Sequence, residues 1–197
     1  MISFIGAVFL LIITPGPGVL STAGVGAAFG FRAGFAYVLG LFIGTNLVAL
    51  AVVTGVAAVV LASPVIRSVL FVLSTGYLLY MAAKIALAGT KTAFEPAARC
   101  PNVWDGIALQ AVNPKAYVVN TTLFSGFVIF QDALLTEMIF KFVAVNAIWI
   151  PIHLGWLWVG GALKRMELPK ATQRLINVAM AVALVLVVVL AAAAQFL

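Results

Sequence analysis

Charge is the scarcest commodity in this chain. Only 8% of its residues are Asp, Glu, Lys or Arg, whereas a soluble domain carries about a quarter, and that shortage excludes a water-soluble globular protein. Acid is scarcer still, with five Asp and Glu in 197 residues. None falls at depth in an expected span, Asp105 sitting only at the entry of the fourth, so an enzyme working with paired carboxylates in the membrane is excluded, and the lone histidine has no acidic group to orient it. A single cysteine, Cys100, excludes an internal disulfide. With a single histidine, His153, it also leaves no metal-ligand cluster within one chain. We expect no metal and no cofactor. No Lys or Arg precedes Arg32, so the basic region of a cleaved signal peptide is missing and the first apolar run is expected to stay in the mature protein. The basic residues are scattered over short separate loops rather than set along one stripe, and we expect no nucleic-acid partner.

What the chain does have is apolar length. It is 65% hydrophobic with a mean hydropathy of +1.24, and runs of roughly 20 apolar residues, each enough to cross about 30 Å of hydrocarbon, follow one another almost throughout. The pattern predicts an all-α membrane protein of six transmembrane helices: Ile2 to Ala23, Phe35 to Leu61, Pro64 to Leu87, Trp104 to Phe130, Ile139 to Gly160 and Leu175 to Leu190. Its partner is the lipid bilayer. We expect one transporter domain, 1–197, made of a first repeat at about 1–88, a linker at about 89–103 and a second repeat at about 104–197. The odd-numbered connections hold Arg32, Lys84, Lys91, Arg99, Lys164, Arg165, Lys170 and Arg174, and the even ones only Arg67 and Lys141. By the positive-inside rule the odd connections are cytoplasmic and both termini outside. Asp132, Glu137 and Lys141 are then expected in an outer connection.

Two of these spans are interrupted where interruption is costly. Pro15, Gly16 and Pro17 break the first, and Asn113, Pro114 and Lys115 break the fourth about ten residues in, roughly 15 Å deep. Proline frees carbonyls that lipid cannot satisfy, so such a break is tolerated only where protein or a watery cavity shields it. A packing kink is the plain alternative. Three spans followed by three give inverted repeats, and at an offset of 100 residues Asn46 falls on Asn146, Gly26 on Gly126 and Gly55 on Gly155. Paired broken helices in matching halves point to a substrate site between them. The restarting helices would offer amides and a positive dipole end to a carboxylate, and freed carbonyls an acceptor to an ammonium. Lys115, an intramembrane cation, needs an anion, water or those carbonyls. His153 is expected to bond a neighbouring helix, with proton carriage as the alternative.

These motifs also resemble a known family. TPGPG in the first span, GFRAG at Gly30 to Gly34, GYLLYMAAKIAL at Gly76 to Leu87 and NPKA at Asn113 to Ala116 are together similar to the lysine exporter (LysE/RhtB) family of bacterial amino-acid efflux proteins. The resemblance implies a multi-pass protein of the bacterial cytoplasmic (inner) membrane, a homo-oligomer, exporting amino acids or small derivatives by antiport with protons. It also places the substrate site at Pro15, Gly16, Pro17, Asn113, Pro114 and Lys115. Two departures stand out. The family motif usually has Asn where this chain has Gly18, and many members carry an acid or other strongly polar group where it has Asn46 and Asn146. A neutral amide holds a cation less well than a carboxylate, so we expect small neutral amino acids as substrates, with Asn46 and Asn146 in the side-chain pocket. A channel for small solutes and a cationic amino-acid exporter stand as alternatives.

Overall fold

The computed structural model describes residues 1–14, 16–87, 99–166 and 169–193, and every regular element among them is helical. In order these are α1 (Ile2–Ile13), α2 (Pro17–Phe29), α3 (Phe31–Val53), α4 (Val56–Ala62), α5 (Pro64–Ala86), α6 (Val103–Val112), α7 (Pro114–Ser125), α8 (Leu134–Arg165) and α9 (Lys170–Ala193). Stretches in α3, α5 and α8 are each long and apolar enough to cross a membrane, and the bent pair α1–α2 passes the same test as a unit. Pro15 and most of the expected linker lie outside the described residues.

Local chemistry accounts for where the helices begin. Proline fixes φ and lacks the N–H that a first turn leaves unpaired anyway, and α2, α5 and α7 all open on proline. α6 starts with a capping box: Asn102 Oδ1 accepts from the amides of Trp104 and Asp105 at 3.0 and 3.2 Å, while Asp105 Oδ2 accepts from the Asn102 amide at 2.7 Å. Arg99 closes that start with a 3.0 Å ion pair to Asp105. Between α2 and α3 the chain turns at Gly30, whose φ of 89° is left-handed territory that other residues enter only with strain.

Packing is decided by glycine. α2 lies on α8 where Gly26 meets the backbone of Leu157 and Gly160, and α3 lies on α6 where Gly40 meets Val103 and Gly106 meets Tyr37 and Leu41. A β-carbon at any of these would collide with main chain, so the helices approach as closely as small-residue seams allow. α5 packs on α9, and α9 also touches α2. The exterior is unlike that of a soluble protein. Ile2, Trp104, Leu134, Leu135, Val118 and Val72 stand exposed, whereas Ser21, Thr22, Gln110, Asn113, Asn120, Lys141, His153 and Asn177 are buried. An apolar exterior around an apolar core that shelters a minority of polar groups is what a bilayer solvent selects.

One expectation is corrected here. Glu137 and Lys141 lie on α8 rather than in a connection, and both are buried. Lys141 Nζ pairs with Glu137 Oε1 at 2.6 Å and donates to the carbonyls of Phe124 and Phe127 at 2.9 and 2.6 Å. Glu137 Oε2 accepts from the amides of Ile129 and Phe130 at 2.9 and 2.8 Å. The pair therefore satisfies the backbone where α7 ends, the only condition under which buried charge is stable.

Candidate functional site

The two broken helices meet. α1 stops at Ile13, Thr14 is extended, Gly16 is extended at φ −162° and ψ −179°, and α2 restarts at Pro17 bent by 50° from α1. α6 stops at Val112, Asn113 is extended, and α7 restarts at Pro114. Asn113 serves both sides of its break: Oδ1 accepts from the Lys115 amide at 3.1 Å and Nδ2 donates to Gln110 Oε1 at 2.9 Å. Lys115 Nζ crosses to the other broken helix and donates to the Thr14 carbonyl, a group freed by the missing helical turn. Gly16 leaves room for this path, since a β-carbon there would lie 2.6 Å from Lys115 Cδ and the lysine side chain would have to shift.

Around this meeting point lies a cavity of about 60 Å³. Its polar wall is formed by Gly16, Gly18, Gln110, Asn113, Lys115, Asn120, Thr45 and His153, and its apolar wall by Leu11, Ile12, Val19, Ala116, Val119, Val145 and Trp149. Residues at the N-termini of α2 and α7 both line it; the Lys115 and Ala116 amides are already taken by Asn113, so what the α7 end offers is the positive end of its helix dipole. Asn120 Nδ2 is taken by the Ala116 carbonyl at 2.8 Å. The first turn of α2 is held by a relay from α3: Tyr37 Oη donates to Ser21 Oγ at 2.8 Å, and Ser21 Oγ to the Gly18 carbonyl at 3.0 Å.

His153 is not bonded to a neighbouring helix. Its Nδ1 lies 3.0 Å from the Trp149 carbonyl one turn back on α8, and its ring stacks on the Trp149 indole at 3.6 Å and 12°. A carbonyl only accepts, so Nδ1 carries the proton of the neutral ring and Nε2 presents a lone pair. That Nε2 faces Gly18, 3.6 Å from where a β-carbon would stand.

The structure thus brings together Gly16, Asn113 and Lys115 as cavity wall, with Pro17 and Pro114 opening the two helices behind it. It places Asn46 and Asn146 elsewhere: they bond each other, and their neighbours Thr45 and Val145 line the cavity instead. Gln110, Asn120 and Trp149 went unnoticed in the sequence. Trp149 and His153 stand four apart, the spacing of one helix face, and Gln110 precedes Asn113 by three, so a helical projection flags both.

Comparison with known proteins identifies the family. The family model for LysE type translocators matches residues 9–195. The chain belongs to that family. A leucine efflux protein of Klebsiella pneumoniae subsp. pneumoniae is 28% identical to it over 131 residues, 63% of this chain and 60% of the relative. Leucine efflux proteins of Salmonella choleraesuis and Salmonella typhimurium are 31% identical over 130 residues, with the same coverage. The match to this LysE-type chain therefore spans 60% of the length of those relatives. No solved structure matches it significantly.

Proposed function

We propose that this protein is a secondary active exporter of small neutral amino acids, driven by protons across the bacterial cytoplasmic membrane. The observation that carries this reading is the composition of the cavity. A cation and two helix N-termini suit a carboxylate, an aliphatic wall of Leu11, Ile12, Val19, Val119 and Val145 suits a branched apolar side chain, and no carboxylate lines it among the described residues. A second positive charge on the substrate would lie unpaired in a low-dielectric site, which is strongly disfavoured. The leucine efflux relatives accord with an aliphatic substrate.

In the same reading the substrate site comprises Pro15, Gly16, Pro17, Asn113, Pro114 and Lys115, and Asn46 and Asn146 brace α3 to α8 beside it. The chain forms one domain of six spans in two inverted three-helix repeats, both termini outside, and assembles as a homo-oligomer. The first broken pair packs on α8 and the second on α3, a reciprocity that supports two related halves. Counterflow in proteoliposomes tests the function: preloaded leucine or threonine should drive uptake of label, and lysine or arginine should not. Preferred exchange of lysine would overturn the substrate class. Uptake without any exchange stimulation would indicate a channel.

A further inference from the structure

The lone pair of His153 has no place in the description so far. The ring is 4% exposed, held by a bond through Nδ1 and by the Trp149 stack, and Nε2 has no hydrogen-bond partner among the described residues. It lies on the wall of the cavity that holds Lys115. The missing side chain at Gly18 keeps it open, and a larger residue there would grow towards it and Gln110 Nε2.

A zwitterion seated with its carboxylate at Lys115 and the helix N-termini must place its ammonium against an acceptor. Gln110 Oε1 is taken by Asn113, Asn113 Oδ1 by the Lys115 amide, and the Thr14 carbonyl by Lys115 Nζ. Beside the carbonyls freed at the breaks, the side-chain acceptors left on the wall are Asn120 Oδ1, Thr45 Oγ1 and His153 Nε2. Of these only the imidazole takes up a proton in the physiological range.

We infer that His153 Nε2 is the atom for which the substrate ammonium and the coupling proton compete. The inference rests on the exporter reading above. When the ring is neutral, an ammonium N–H donates to Nε2. When a proton from the more acidic side binds Nε2, a new N–H forms, the ammonium loses its acceptor and faces a cation, and the zwitterion leaves intact. Deprotonation towards the other side restores the lone pair. One site thus holds either a proton or a substrate, the condition for exchange of the two. The indole face of Trp149 supports the imidazolium as well as the neutral ring.

The groups around His153 leave this role to it alone. α1 and α2 carry no titratable side chain. α3 contributes Tyr37, bonded to Ser21, and Arg32 at its start. α6 contributes Asp105, paired with Arg99, and α7 contributes Lys115 and Tyr117, the latter bonded to the Ala111 carbonyl. On α8 itself Glu137 and Lys141 are paired with each other, and Lys164 and Arg165 stand about three turns beyond His153, at its C-terminal end.

The test uses the full chain in proteoliposomes with leucine as probe. In the unaltered protein, apparent leucine affinity should fall by up to ~10-fold per pH unit once His153 is protonated. His153→Gln keeps an acceptor that cannot titrate. It should retain counterflow, lose the pH dependence, and fail to accumulate leucine under an imposed pH gradient. His153→Leu should bind about 10-fold more weakly or worse. As a measurement independent of any variant, adding leucine to the purified unaltered protein in weak buffer should release protons within a series from about pH 4 to about pH 7. Gradient-driven accumulation by His153→Gln, or no proton release anywhere in that series, would overturn the inference while leaving the exporter reading intact. Absence of leucine counterflow in the unaltered protein would overturn both.

Discussion

Asn46 on α3 and Asn146 on α8 exchange amide hydrogen bonds in both directions, at 3.1 and 2.8 Å. Each side chain satisfies the other, and Asn46 Nδ2 also reaches the Phe42 carbonyl at 2.8 Å. The pair ties together the two helices whose adjacent residues Thr45 and Val145 line the cavity. Interhelical bonds of this kind are worth about 0.6 kcal/mol on average and up to about 1.7. Asn46→Leu and Asn146→Leu should each lower the melting temperature in detergent, and the double variant should lose less than the two losses added. Additive losses would mean that the pair is not coupled.

Removing the cavity's cation should act on transport, not folding. Lys115→Ala leaves one freed carbonyl at Thr14 without its donor, a modest loss beside that of the only charge on the cavity wall among the described residues. We expect leucine counterflow to fall at least ~10-fold at equal membrane levels. Arg32→Ala, at an exposed position, should be silent. Equal counterflow in both variants would contradict the assigned site.

Gly18→Asn introduces the residue that the family resemblance leads one to expect after Pro17. From Gly18 an amide side chain extends towards His153 Nε2 and Gln110 Nε2, where it can donate to the first and accept from the second. Reduced leucine affinity with folding unchanged is the expected result, read by counterflow and thermal melting side by side.

The glycine seams should respond to a single methyl group. Gly40→Ala and Gly106→Ala place a β-carbon against main chain that cannot rotate away, whereas Gly6→Ala and Gly76→Ala meet nothing within 4 Å. Overpacking costs about 1–3 kcal/mol, and alanine itself favours helix by about 1 kcal/mol over glycine. The first two variants should therefore melt earlier and the second two no earlier than the unaltered protein.

Orientation is open to labelling. In a Cys100→Ser background, a membrane-impermeant thiol reagent applied to intact cells should modify Gln131→Cys and spare Arg32→Cys, two exposed positions, the first between α7 and α8 and the second at the start of α3. The reverse pattern would place the termini in the cytoplasm.

The sequence by itself determined the solvent, the helical class, and the positions of both breaks. Scarce charge and long apolar runs admit little besides helices in lipid, and proline acts on its own neighbours. That is why Pro17 and Pro114 open helices where expected. Only the tertiary structure decided the partners. Lys115 selects Thr14 across 101 positions, Asn46 selects Asn146 across 100, and Lys141 turns inward to the end of α7. His153 bonds its own helix instead of a neighbour, which turns Nε2 to the cavity. Composition and spacing carry no such information, because a buried polar atom takes whichever partner the packing of distant backbones brings within 3 Å or so. Here that packing is set by the close approach of Gly26, Gly40, Gly106 and Gly160 to facing main chain.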